Sequence, residues 1–383
     1  MLYIDPWGIR NTADYAWGMV RELSKLCRLE VIENSRCEFP EDQNYLIRKW
    51  FFPFSQKINS GTIRKPLRGV EYIYCWIRIS YLILRGRYDV VHFNWLLLYK
   101  IDAFFLKLLR PFCKKIIYTA HNVLPHINGE KYFDDLKRIY SLVDVIVVHG
   151  HNIQEEFGRL YPMYVKKTYV QYHGFNAANI ESKPSQSATL KLPQIKKTID
   201  FSVYKKILLC MGQLYAEKGI DRVVMYWKKR RQLLSRKKCL IVIVGKRLES
   251  DYLKDLSIGL SSDSTLLFIP FYLEDKLLSC VIDNSDCVIL PYRHASMSGV
   301  IFTCAYHKKT VLCTDAGGIS EYLVNREDSF ICENNDISLY QSLDDVLNIP
   351  RVLLLSQGRR LSQNFVNKFD WEIVINKLVH DVY

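Results

Sequence analysis

KILLCMG (206–212), QLYAEKGID (213–221) and CLIVIVG (239–245) are the stretches that decide the fold. An unbroken apolar run ends in glycine, a polar turn follows, a segment with helical spacing intervenes, and a second apolar run again ends in glycine. Strands that are apolar on both sides belong to parallel sheets covered by helices on both faces. The repeating unit is strand, turn, helix, strand, and the class is α/β.

Working outward, the same rhythm continues through TLLFIPF (265–271), DCVILPY (286–292) and TVLCTD (310–315). An earlier series reads MLYID (1–5), LEVIE (29–33), DVVHFNW (89–95), KIIYTA (115–120), DVIVVH (144–149) and KKTYVQ (166–171). Two series predict two doubly wound, Rossmann-like domains, one over 1–175 and one over 205–366. Between them NAANIESKPSQSATLKLPQIKK (176–197) is polar, carries two prolines and has no clear period, so 176–204 reads as a linker. FDWEIVINKLVHDVY (369–383) reads as an amphipathic helix with Trp371, Ile375, Leu378 and Val379 on one side.

Composition narrows the function. The 383 residues are 49% hydrophobic and 24% charged, which excludes a disordered or fibrous chain. Lys and Arg number 53 against 40 Asp and Glu, a net +13 that calls for an anionic partner. The 11 cysteines show no metal-ligand spacing, and several, such as Cys210 and Cys287, sit in apolar runs. Free thiols in a reducing cytoplasm are expected. MLYID reads as a strand rather than a leader, and no uncharged apolar run nears the ~18 residues of a spanning helix.

The charge is not evenly spread. From Arg48 to Arg87 the bases are Arg48, Lys49, Lys57, Arg64, Lys65, Arg68, Arg78, Arg85 and Arg87, and Glu71 is the one acid. Trp50, Phe51, Phe52, Phe54, Tyr72, Tyr74, Trp76 and Tyr81 are interleaved. Cations with interfacial aromatics dock on anionic lipid; the competing reading is a core-facing helix over Val70–Leu84 with solvated basic ends. The second basic run, 228–231, fits a solvated helix face, and no nucleic-acid-binding module is visible.

In open α/β sheets ligands lie beyond the carboxyl ends of the strands. After the first strand, Gly8 permits a tight turn, and Asn11, Thr12 or Asp14 offers a helix cap. After KIIYTA, His121 and Asn122 stand where an imidazole meets a sugar hydroxyl or orients a reacting group, or is simply a structural histidine. His92, His149 and His151 share that ambiguity. Lys218 beside Gly219, opening a helix, is a candidate phosphate clamp without being a Walker loop. In LPYRHASMSGVIFT (290–303), Arg293 offers a bidentate contact, and Ser298, Gly299 and Val300 start a helix whose dipole favours a diphosphate.

Together these motifs resemble the GT-B glycosyltransferases, specifically the large retaining family 4 of bacterial surface-polysaccharide synthesis. The likeness runs through DVVHFNW, TAHNVLPH, the GxLxxxKGID pattern at Gly212–Asp221, the strand ending at Gly245, DCVILPYRxxxxSGV, TDxGGxxE and the late FDWE. It implies two domains facing across a cleft, the second holding a UDP- or GDP-type sugar donor and the first the acceptor, with 367–383 crossing back. It implies donor contacts from Gly212, Gln213, Lys218, Gly245, Arg293, Ser298, Gly299 and Val300, the base near Phe271, and the transferred sugar near His121. Gly8, Asn11, Thr12 and Asn122 would face the acceptor, and no metal or other cofactor is implied. The family usually carries Arg at the place of Gln213 and glutamates at the places of Ala295 and Thr303. Arg293 and the Thr303 hydroxyl are expected to substitute in part.

The expected activity is a membrane-associated sugar transfer to a polyprenyl-linked oligosaccharide or other glycolipid, peripheral on the cytoplasmic face of the inner membrane, with no nucleic-acid partner. The alternatives are a catalytically inactive subunit that scaffolds a partner enzyme, and a nucleotide-sugar epimerase, which needs acid/base carboxylates.

Overall fold

The computed structural model describes residues 1–8, 13–37, 39, 44–86, 88–125, 129–176, 187–195, 197–246, 264–295 and 297–383. The chain divides into two compact units: Met1–Gly174 with Phe369–Tyr383, and Phe175–Lys368.

The first unit is built on seven parallel strands: β1 (Leu2–Asp5), β2 (Leu29–Asn34), β3 (Tyr45–Phe51), β4 (Val90–Phe93), β5 (Lys115–Thr119), β6 (Val145–Val148) and β7 (Thr168–Val170). Their order is β3-β2-β1-β4-β5-β6-β7, so the winding reverses between β1 and β4. Alternate residues of one strand feed two cores, as a sheet covered on both faces requires. Leu2 and Ile4 pack with Trp76, Leu106 and Ile139 from helices α2 (Gly61–Gly86), α3 (Tyr99–Leu109) and α4 (Phe133–Leu142). Tyr3 points the other way, with Tyr15, Met19 and Leu23 of α1 (Ala13–Leu26). A fifth helix, α5 (His151–Leu160), follows β6.

Helix α11 (Trp371–Val382) completes that second face with Trp371, Ile375 and Leu378. Asp370 caps it by accepting from the Glu372 N–H at 2.9 Å. Trp371 fits because two glycines make room. A Cβ on Gly18 would lie 2.1 Å from its ring, and one on Gly174 2.0 Å.

Six parallel strands form the second unit's main sheet: β10 (Lys206–Met211), β11 (Cys239–Val244), β12 (Leu266–Ile269), β13 (Cys287–Leu290), β14 (Thr310–Thr314) and β15 (Ser329–Cys332). The order β12-β11-β10-β13-β14-β15 reverses between β10 and β13. Helices α6 (Ile220–Arg236) and α9 (Asp336–Asn348) bury Val223, Trp227, Leu339 and Leu343 against Leu208, Ile241 and Leu312. Helices α7 (Asp275–Asn284), α8 (Gly299–Tyr306) and α10 (Arg351–Phe369) complete the set. Within 176–204, expected to be a linker, β8 (Thr189–Leu192) and β9 (Lys197–Asp200) pair as an antiparallel hairpin. Leu190 and Leu192 are buried between exposed Thr189 and Lys191, and Asn284 of α7 donates to the Ser187 carbonyl at 2.9 Å.

Gly18 sits inside a helix, where alanine is ordinarily favoured by about 1 kcal/mol. Here Gly18→Ala drives a methyl into Trp371, and overpacking of that kind costs about 1–3 kcal/mol. The thermal midpoint followed by near-UV circular dichroism is expected to fall, against the helix-propensity trend.

Candidate functional site

Both units carry their polar side chains at the point where the winding reverses, and each is described in turn. In the second unit β10 ends into Gly212 (φ 119) and β11 into Gly245 (φ 155). A Cβ on Gly245 would lie 1.6 Å from the Gly212 carbonyl oxygen, so only glycine permits this approach. A 3-10 turn (Ala216–Lys218) leads to Gly219, left-handed at φ 63, and α6 begins. A Cβ there would meet the Pro291 carbonyl at 2.0 Å. Buried Arg222 donates to that same carbonyl at 3.2 Å and to Asp336 at 2.7 Å, fastening the turn after β10 to the loop after β13.

This fastening brings three cationic or donor groups together. Lys218 Nζ lies 3.7 Å from the centroid of the Tyr292 ring, and the Tyr292 hydroxyl is 3.1 Å from Ser298 Oγ. Ser298 is the N-cap residue of α8, and the space around the Gly299 Cα is open. Val300 faces Gly212, 3.8 Å from where a Cβ would stand. Lysine, helix N-terminus and glycine-lined backbone thus converge, an arrangement suited to a diphosphate. Burial pulls the Lys218 ammonium down to about 8, with Glu217 opposing.

Other expected residues stand elsewhere. Arg293 is committed to Asp221 through a bidentate pair (2.8 and 2.6 Å) and to the Ala216 carbonyl at 2.8 Å. It braces the loop in this structure. Thr303 returns its hydroxyl to the Gly299 carbonyl at 3.4 Å, the usual habit of threonine inside a helix. Ala295 is buried, and its carbonyl accepts from Gly318 N–H at 3.2 Å, an approach that Gly317 (φ 72) permits. Gln213 is partly buried beside Gly212, and Phe271 is partly buried just after β12. Tyr292, which physically joins Lys218 to Ser298, is the residue sequence reasoning missed; its signal was its place at the end of an apolar strand.

In the first unit the carboxyl ends of β1, β2, β4, β5 and β6 supply Asp5, Glu33, Asn94, His121 and His149. A Cβ on Gly8 would lie 2.8 Å from a carboxylate oxygen of Asp5 and of Glu33, so the turn is seated on both acids. Asn94 Nδ2 donates to Asp5 Oδ2 at 2.8 Å, and Trp7 N–H donates to Asp5 Oδ1 at 2.8 Å. His121 Nε2 is 3.1 Å from Asn94 Oδ1, and its Nδ1 is 3.0 Å from His149 Nε2. Trp95 stacks on the His121 ring at 4.1 Å, and Tyr15 meets His121, His149 and His173 edge-on or tilted at 5.1 Å.

Burial acts in opposite senses on these groups. It pushes Asp5 up to about 6 and Glu33 well above its ordinary value, and it pulls His149 and His173 down to about 4. His121 is held well below the usual imidazole range, first by burial and then by His149, His173 and His92. His92 is structural, held by Tyr383 at 2.6 Å and Thr119 at 2.7 Å. His151 is exposed at the start of α5, and Asn122 is partly buried in the bend after β5. Asn11 and Thr12 lie outside the described residues.

The Lys218 shift predicts a pH signature. Inorganic pyrophosphate, titrated by calorimetry, is expected to bind evenly below about pH 7. Its affinity then falls by about tenfold per unit above pH 8 as the ammonium deprotonates. Lys218→Met is expected to bind more weakly and to lose that slope.

Residues 193–364 match the family model of glycosyl transferases group 1. An uncharacterized glycosyltransferase of Haemophilus influenzae is 26% identical over 174 residues, 42% of this chain and 45% of that protein. The match thus spans less than half the length of that relative. Among solved structures, Anabaena Alr3699/HepE in complex with UDP and glucose superposes with a TM-score of 0.70 at 15% identity, covering 99% of this chain and 98% of that one. The sucrose-phosphate synthase of Thermosynechococcus elongatus gives 0.69 at 13% identity, over 99% and 97%. Residues 193–364, within the second unit, are thus similar to the glycosyl transferases group 1, and the chain has the GT-B fold of these solved structures.

Proposed function

We propose that this chain transfers a sugar from a nucleotide-sugar donor to a lipid-linked oligosaccharide or other glycolipid, in surface-polysaccharide assembly. The observation that carries the reading is the convergence of Lys218, Tyr292, Ser298 and the α8 N-terminus at the β10/β13 reversal. A leaving nucleoside diphosphate gathers negative charge as the glycosyl bond breaks. A lysine and free helix N–H groups fixed beforehand stabilise that charge without a metal. UDP is the first donor base to try, since the Anabaena protein of like fold was crystallised with UDP and glucose. Retention of the anomeric configuration and the acceptor's identity belong to this proposal.

Thermal-shift titration with UDP-, GDP- and dTDP-sugars identifies the donor, since only a ligand of the native state raises the midpoint. With that donor, Lys218→Ala is expected to lower transfer by about 10²-fold; undiminished turnover sinks the donor-site assignment. Ala295, standing where the family pattern carries glutamate, is what favours the scaffold reading. Donor binding without transfer or hydrolysis would establish that reading instead.

The acceptor side of the proposal rests on α2. One face of that helix buries Tyr72, Cys75, Trp76, Ile79 and Ile83, so the core-facing reading holds for half of it. The opposite face exposes Val70 (64%), Tyr74 (58%), Ile77 (55%), Tyr81 (60%) and Leu84 (53%), which helical spacing aligns in a row. Arg64 and Lys65 flank it, and Glu71 is buried, accepting from the Phe54 N–H at 2.7 Å. Among the described residues no helix is long and apolar enough to cross a membrane. A basic, apolar ridge of this kind suits peripheral docking on an anionic bilayer, each cation adding about 1 kcal/mol near the surface. We expect the protein to sediment with phosphatidylglycerol-containing vesicles and to remain free with phosphatidylcholine alone. Tyr74→Ser with Ile77→Ser is expected to abolish sedimentation while leaving donor binding intact. Equal sedimentation of the double variant removes α2 from the docking surface.

A further inference from the structure

The hydrogen-bond chain of the first unit contains a proton count. It runs from the Gln171 carbonyl to His149 Nδ1 (3.1 Å), from His149 Nε2 to His121 Nδ1 (3.0 Å), and from His121 Nε2 to Asn94 Oδ1 (3.1 Å). Asn94 Nδ2 then reaches Asp5 Oδ2 at 2.8 Å. The Gln171 carbonyl accepts only, so His149 Nδ1 carries a proton. If both rings are neutral, His149 Nε2 accepts from His121 Nδ1–H, and His121 Nε2 is left with a lone pair aimed at the Asn94 oxygen. With Asp5 ionised, that contact is repulsive. Two neutral rings and a carboxylate are one proton short.

We propose that Asp5, Asn94, His121 and His149 form a single proton-holding unit, complete only when it carries one proton beyond two neutral imidazoles and an ionised carboxyl. That proton has two places. In one, Asp5 is protonated and donates to the Asn94 oxygen; the amide is turned over, and its N–H donates to the His121 Nε2 lone pair. In the other, the amide stands as described, Asp5 is ionised, and the histidine pair holds the proton as an imidazolium with Nε2–H on Asn94. Both states contain the same number of protons and carry no net charge. Passage between them breaks the Asp5 O–H bond, forms an imidazole N–H bond, and rotates one amide.

The surroundings set the resting state. Among the described residues, the titratable groups facing the unit are Tyr3 and Glu33 beside Asp5, and Tyr15, His92 and His173 about the imidazoles. Burial favours the neutral form of every member, which places the proton on Asp5 rather than on the imidazoles below about pH 6. Trp95, stacked on His121 at 4.1 Å, provides the π face that an imidazolium gains from. Negative charge presented to His121 therefore draws the proton onto the imidazole pair, and His121 turns cationic without taking a proton from water. Asp5, Asn94 and His149 are positioning residues in this scheme. Their value to sugar transfer rests on the proposed function, whereas the proton count does not.

The test is heteronuclear NMR of the full chain, with 15N-labelled histidine and 13C-labelled aspartate. At pH 5 without ligand, below the value of about 6 to which burial pushes Asp5, Asp5 is expected to show a protonated carboxyl, with His121 protonated on Nδ1 and His149 on Nδ1. An ionised Asp5 together with two neutral histidines overturns the proposal. Asn94→Leu is expected to uncouple the Asp5 and His121 titrations; unchanged coupling also overturns it. In turnover, His149→Phe is expected to lower kcat by about tenfold or more with little change in KM. His149→Gln, whose amide supplies both a donor and an acceptor, is expected to restore part of that loss. Wild-type kcat and unchanged His121 nitrogen shifts in His149→Phe would refute the positioning role. A chain with the expected NMR signature but no transferase activity upholds the proton unit and refutes only the proposed function.

Discussion

Three carbonyl oxygens lie so close to glycine Cα atoms that no side chain fits between them. The Gly212 oxygen approaches Gly245, the Pro291 oxygen approaches Gly219, and the Ala295 oxygen approaches Gly317; a Cβ would stand 1.6, 2.0 and 1.9 Å away respectively. Each contact joins loops that leave different strands, and together they draw the ends of β10, β11, β13 and β14 into one surface. Lys218, Tyr292 and Ser298 meet because the backbone beneath them has been closed to van der Waals distance. Precise placement of donors on rigid elements is what lets them act on a developing charge without first reorganising.

The first unit solves the same geometric problem by another route. Instead of close backbones, it packs polar side chains from five strand ends, with Gly8 seated on two acids. Buried polar groups are tolerated when their partners are complete and are costly when one link is wrong. Tyr15 and Trp95 pack against the His121 ring, and Trp371 packs in turn against Tyr15. The polar cluster of the first unit therefore depends on side-chain hydrogen bonds, while the Lys218–Tyr292–Ser298 surface of the second unit depends on the position of the backbone.

Much of this was legible in the residues. Strands buried on both faces, such as KILLCM and CLIVIV, announce themselves by unbroken apolar runs, and the rule that ligands lie beyond their carboxyl ends pointed to Lys218, Ser298 and His121. The edge strand β3, YLIRKWF, was read only as part of a basic stretch because its half-exposed register carries Arg48 and Lys49. The β8–β9 hairpin hid in a polar segment because only Leu190 and Leu192 of its eight strand residues are buried. Arg293 illustrates the deeper limit. Its guanidinium suits a phosphate or a carboxylate equally, and only the fold reveals that Asp221 sits within bidentate reach. Asp5 and Asn94 escaped notice for a related reason: a lone acid or amide at a strand end acquires meaning only beside its neighbours from other strands.

The thiols carry a consequence of their own. Ten of the eleven cysteines are buried and Cys27 is half-covered, with no disulfide among them. They are distributed over both units, from Cys75 on α2 to Cys332 at the end of β15. Desolvation raises the thiols of Cys210, Cys287, Cys304 and Cys313, and a thiol held in its protonated form is a poor nucleophile. A small alkylating reagent therefore reaches these sulfurs at the rate at which their surroundings open. The native chain comes equipped with a built-in set of clocks, at least one in every layer of each sheet's packing, from which the order of local unfolding is readable without introducing a single label.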